Sequence, residues 1–90
     1  MINFKQEELI NDFFKIAKDR FPEIELINIT RSPDDTDHIW INVSIPNNED
    51  RLIELTEFTS EKGHEILLDY GYWISIIPER KQTETVNRKR

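Results

Sequence analysis

From His38 to Ile45 every second side chain is a β-branched aliphatic. Ile39, Ile41, Val43 and Ile45 fall on one side, and His38, Trp40, Asn42 and Ser44 on the other. Successive side chains of an extended strand point to opposite faces, so this segment is a strand with one apolar face that something must cover. Pro46 ends it. A chain of 90 residues builds one small core and buries only about 60% of its unfolded surface. The cover therefore has to come from amphipathic segments close by.

Two such segments flank the strand. Asn3 with Gln6 three residues on forms a capping-box pattern, and Leu9, Ile10, Phe13, Phe14 and Ala17 then recur at helical spacing until Pro22 stops the helix near Phe21. Downstream, Asn47 or Asn48 caps a second helix with Glu49 and Asp50 in its first turn, where the helix dipole favours anions. Leu52, Leu55, Phe58, Ile66 and Leu67 form its expected buried stripe, and Tyr70-Gly71 its end. Gly63 costs about 1 kcal/mol relative to alanine in a helix interior, which argues against one unbroken helix.

The remaining apolar runs are short and β-branched. Residues 24–30 read as a strand with Ile27 and Ile29 on one face, and Ser32-Pro33-Asp34-Asp35 supplies a type I turn into the alternating strand, making the pair an antiparallel hairpin. Residues 72–77 form a third strand expected to end at Pro78. The order is helix, strand, strand, helix, strand, which defines an α+β two-layer sandwich with two helices on one face of a three-stranded sheet. Residues 1–78 form the single domain, and residues 79–90 read as a basic, disordered C-terminal tail.

Charge narrows the partners. Residues 1–77 carry seven Lys and Arg against sixteen Asp and Glu, and residues 78–90 carry five against two. An acidic body repels phosphate backbones, so duplex nucleic acid is not an expected partner of the folded part. Asn87-Arg88-Lys89-Arg90 could touch nucleic acid or an acidic partner, against the commoner reading of a solubilising or poorly ordered end. There is no cysteine, hence no disulfide, thiolate metal site or cysteine nucleophile, in keeping with a cytoplasmic setting. No basic start precedes an apolar run, and no stretch approaches the roughly 20 apolar residues that cross a bilayer, so no membrane partner is expected.

The candidate site residues form three groups. Asp35 and Asp37, two apart at the mouth of the second strand, are candidate metal ligands, with Asp34 alongside; a solvated acidic turn is the competing reading. Trp40 and Asn42, with Trp73 and Ser75 or with Tyr72 from the third strand, populate a sheet face that two helices on the other side leave uncovered. An exposed aromatic face marks an interaction site. Glu54, Glu57, Glu61, Glu65 and Asp69 line an acidic face of the second helix, with Glu57 and Glu61 central to a surface for a basic partner. His38 and His64 lack the pairing of a zinc site and read as surface or edge histidines.

The succession of elements, the acid-x-acid pair opening the second strand and the Leu67-Leu68-Asp69-Tyr70-Gly71 phrase closing the second helix resemble the minimal palm of the nucleotidyltransferase superfamily, over about residues 5–78. The resemblance implies Ser32 as the nucleotide-binding serine, Asp35 and Asp37 as ligands of magnesium, and a role in two-component bacterial modules such as toxin and antitoxin pairs. Arg31 stands where the family has its phosphate-loop glycine, and the third strand offers Ser75 rather than an acid. Three functions are expected on these grounds. The first is a non-catalytic domain that binds another protein or a second copy of itself, with no cofactor. The second is a minimal nucleotidyltransferase using magnesium. The third is an acidic antitoxin or inhibitor of a basic partner.

Overall fold

The computed structural model describes residues 2–80. It contains helix α1 (Phe4–Arg20), strands β1 (Glu25–Arg31) and β2 (His38–Ile45), helix α2 (Glu49–Tyr70) and strand β3 (Trp73–Arg80), the expected order. β2 is the central strand, paired antiparallel with β1 and parallel with β3. Parallel neighbours need a crossover, and α2 supplies it.

Both helices begin as their capping residues dictate. Asn3 Oδ1 accepts from the Gln6 amide at 2.7 Å while Gln6 Oε1 accepts from the Asn3 amide at 2.9 Å, closing the box that starts α1. Asn48 Oδ1 accepts from the Arg51 amide at 3.1 Å. Gly71 ends α2 at φ 77°, a left-handed conformation that glycine adopts without Cβ strain.

The core lies between the helices and one face of the sheet. Ile39, Ile41, Val43 and Ile45 of β2, with Ile74 and Ile76 of β3, meet Leu9, Ile10, Phe13 and Ala17 of α1 and Leu55 of α2. Among the described residues no helix is long and apolar enough to cross a membrane.

Several expectations need correcting. Pro78 does not end β3; the strand continues to Arg80 with Pro78 opposite Val43. An edge strand tolerates proline where the missing N–H would have faced outward. Glu79 and Arg80 therefore belong to the domain, and Arg80 Nη2 pairs with Glu49 Oε1 at 2.6 Å. The rest of the expected tail, 81–90, lies outside the described residues. In β1 the alternation slips between Leu26 and Asn28, so Leu26 and Ile29 are the residues opposite the core-facing Val43 and Ile41. The buried stripe of α2 includes Thr59, whose Oγ1 donates to the Leu55 carbonyl at 2.8 Å, whereas Leu67 is exposed.

α2 is also unbroken through Gly63. A Cβ there would lie 2.9 Å from the Ile74 carbonyl oxygen and 3.8 Å from the Phe13 ring. The glycine is a point of close approach between helix and strand rather than a break.

Candidate functional site

Because the isoleucine side of β2 is taken by the core, its other residues point away from the helices, and the register gives them neighbours. Trp73 lies beside His38, Ser75 and Thr30 on either side of Trp40, and Ile77 and Asn28 on either side of Asn42. Among the described residues no element covers this face. The structure thus brings together four expected interface residues, Trp40, Asn42, Trp73 and Ser75, and selects Trp73 over Tyr72 as the outward aromatic of β3.

The face is organised before any partner arrives. The His38 and Trp73 rings stack at 3.8 Å between centroids and 5° between planes. His38 Nε2 lies 2.7 Å from Ser75 Oγ, and Trp40 presents its ring edge-on to His38 at 6.2 Å. Asn42 Nδ2 donates to Asn28 Oδ1 at 2.8 Å and to Thr30 Oγ1 at 2.9 Å, which explains how a nearly fully buried amide is tolerated here. The indole N–H of Trp40 is buried without an acceptor. A donor in that state is costly, by about 1–3 kcal/mol.

His38, expected at the surface or an edge, lies partly buried on the outer face at the start of β2. Its role emerges only once β3 is known to pair with β2 in the register that seats Trp73 beside it. Burial pulls its pKa below the ordinary 6.5, against a weaker upward pull from the Asp35 carboxylate. Near and just below pH 6.5 the unfolded chain therefore binds more protons at this position than the folded one. The stabilisation is present above that pH and is lost as the pH falls through the folded-state value. Urea midpoints should drop between pH 7.5 and 5, and His38→Gln should flatten that part of the profile; an unchanged slope in the variant would show that other groups set it.

The acidic loop is a separate structure. β2 begins at His38, so Asp35 and Asp37 precede the strand rather than sharing one of its faces. The Asp37 amide donates to Asp35 Oδ1 at 3.0 Å, the Asp34 amide donates to Ser32 Oγ at 3.2 Å, and Arg31 Nη1 donates to the Thr36 carbonyl at 2.6 Å. Ser32 is buried, with its amide on the His38 carbonyl at 2.8 Å. The side chains of Ser32 and Asp35 are thereby engaged in closing the hairpin, and a guanidinium lies where a cation would need acids alone. Among the described residues no three His, Cys, Asp or Glu are grouped to hold a metal ion.

Glu57 and Glu61 belong to a third surface, on the helix side of the sheet, and do not meet the tryptophans. They are exposed and share a groove with Arg20, Phe58 and Lys62. Arg20 and Lys62 lie over the Phe58 ring at 4.9 and 5.9 Å. At the start of α2, Arg51 makes a two-point contact with Glu23, at 2.6 Å from Nε and 3.1 Å from Nη2, and reaches Glu54 at 3.0 Å. The guanidinium holds the Glu23 carboxyl below its ordinary 4.5. The acidic stripe is thus interleaved with cations.

No protein-family model, curated protein or solved structure matches this chain.

Proposed function

We propose that this chain is a non-catalytic domain that binds another protein through the open face of its sheet, with Trp73, His38, Trp40, Ser75 and Asn42 as the contact surface. The observation that carries this reading is the stacked pair of Trp73 and His38 on the sheet face away from the helices. Trp73 is 45% exposed although it is a large aromatic on a flat surface. Rigid aromatic side chains of this kind lose little conformational freedom on binding and dominate interface energetics. A fitting partner lays an apolar group on Trp73.

The reading is preferred to magnesium-dependent nucleotidyl transfer because Ser32 and Asp35 already serve the hairpin loop. It is preferred to charge-driven inhibition because Arg20, Arg51 and Lys62 interrupt the acidic helix. Capture from a native extract tests it with three baits: the natural chain, Trp73→Ala, and Leu68→Lys on exposed α2 as a control. A species held by the natural chain and the control should be weakened by roughly 30-fold with Trp73→Ala, the scale of a tryptophan hot spot. Identical capture by all three baits would refute the assignment of this face.

A further inference from the structure

On the helix side of the sheet, α1 and α2 leave a groove of about 230 Å³ between residues 9–16 of one and 62–70 of the other. Its floor is apolar. Leu9 and Phe13 are buried and Ile66 packs against the core beside them, while Ile16 and Tyr70 on the two rims are 44% and 50% exposed. Positions 9, 12, 13 and 16 of α1, like 62, 65, 66, 69 and 70 of α2, recur at helical spacing, so each helix gives the groove one continuous wall.

The charge on those walls is lopsided. Three carboxylates, Asp12, Glu65 and Asp69, share them with one ammonium, that of Lys62, which pairs with Glu65 at 3.6 Å. Lys5, over the Tyr70 ring at 4.8 Å, is held by Glu8. Among the described residues Asp12 and Asp69 enter no ion pair. The cations that interrupt the acidic face of α2 stop at Lys62, and the last turn of the helix, where Asp69 stands, contains no basic residue. A helix C-terminus carries partial negative charge, so Asp69 occupies the place least favourable to a carboxylate, four residues from Glu65. A cation brought to the groove would relieve both free carboxylates and the helix end.

We infer that the groove seats a cationic amphipathic helix of another protein, with an aliphatic or aromatic side chain filling the floor and Lys or Arg a turn to either side of it meeting Asp12 and Asp69. The occupant is helical because the groove offers it no main chain. Up to the last turn of α2, the amides and carbonyls of both walls bond within their own helices, so an extended segment would leave its own backbone groups unpaired against apolar surface; a helix arrives with its backbone satisfied. The chain does not supply such a helix itself. Residues 81–90 contain one aliphatic, Val86, and so no apolar stripe. α1 balances four cations with four carboxylates, and α2 sets two against seven, which makes a second copy a poor electrostatic match. The groove and the Trp73 face lie on opposite sides of the sheet, so a partner on one does not displace a partner on the other.

The probe is a labelled peptide of about 18 residues, leucine at helical spacing on one face and lysine on the other, titrated into the full chain and followed by anisotropy and by backbone amide shifts. Saturable one-site binding is expected, with shifts concentrated at Asp12, Ile16, Ile66 and Tyr70, and none with the glutamate counterpart of the peptide. Asp12→Asn combined with Asp69→Asn should weaken binding roughly tenfold, and Ile16→Ser, at a half-exposed rim, roughly fivefold. Glu57→Gln combined with Glu61→Gln removes the same charge outside the groove and should leave affinity within about twofold, as should Trp73→Ala. Equal weakening by the two double variants would mean that the peptide reads overall charge, and overturns the inference. So does a lack of saturation by about 1 mM peptide, or a set of shifts centred on Trp73. Groove amides that move with protein concentration before any peptide is added would assign the groove to a second copy, and a change in the signals of residues 81–90 on Asp12→Asn with Asp69→Asn would assign it to the chain's own end; either result also overturns it.

Discussion

Phe13→Ala should cost about 3–5 kcal/mol, the range for emptying a fully buried phenylalanine site. Phe13 is 1% exposed and lies where α1, α2 and the sheet converge, with its ring 3.8 Å from the position a Cβ would take at Gly63. A single domain of this size holds roughly 5–13 kcal/mol in total, so one substitution removes a large share of it. The neighbours have little freedom to fill the space, because β2 is fixed between two strands and α2 is held against β3. Thermal unfolding should shift down by on the order of 20 °C, given about 4–8 °C per kcal/mol for a domain of this length. A shift under about 5 °C would mean that the helices collapse onto the vacated volume, and that α1 is less rigidly seated than the structure shows.

Gly63→Ala should also destabilise, against what helix propensity alone requires. Alanine in a helix interior is better than glycine by about 1 kcal/mol, so an α2 that stood free would gain from the change. Here the added methyl would meet the Ile74 carbonyl oxygen at 2.9 Å. That oxygen is backbone in a strand paired to the central β2, so relief requires α2 to move away from β3 and to loosen the packing around Phe13. Overpacking of this kind costs typically 1–3 kcal/mol, which outweighs the propensity gain over most of that range. Urea denaturation of the two proteins decides the sign. An alanine variant more stable than the natural chain would show that α2 slides along β3 at little cost, and the close approach would then not hold the helix in place.

These two residues show where reading the chain one element at a time succeeds and where it stops. Phe13 announces itself, because Leu9, Ile10, Phe13 and Ala17 repeat at helical spacing and any fold that covers one of them covers all. Gly63 misleads, since a glycine in a helix is locally a weakness and becomes intelligible only once the Ile74 carbonyl is known to lie against it. Pro78 misleads in the same way. A proline ends a strand whose N–H must be bonded, and whether it must depends on the strand lying inside the sheet or at its edge. The slip in β1 does leave a local trace, because Ile24 and Leu26 stand at even positions and Ile27 and Ile29 at odd ones, a change of parity that strict alternation cannot put on one face.

The candidate site divides along the same line. That Trp40 and Asn42 point away from the helices follows directly from the four isoleucine and valine positions that alternate with them. The partners of those residues do not follow. His38 beside Trp73, and Asn42 between Asn28 and Thr30, depend on a parallel register between segments 35 residues apart and on an antiparallel one across the hairpin. Ser32, Asp35 and Asp37 are conspicuous as a motif, and only the folded loop shows their hydrogen bonds turned inward to close a hairpin.

By itself, then, the order of residues determined the element types, their caps and the apolar faces of α1 and β2, because capping, periodicity and turn chemistry act over a few residues and need no distant partner. The tertiary structure alone decided which strand lies in the middle, which lie at the edges and which side chains share the outer face. Those depend on register, and register is set by all the side chains of two strands competing for one core, so that no single segment contains the answer.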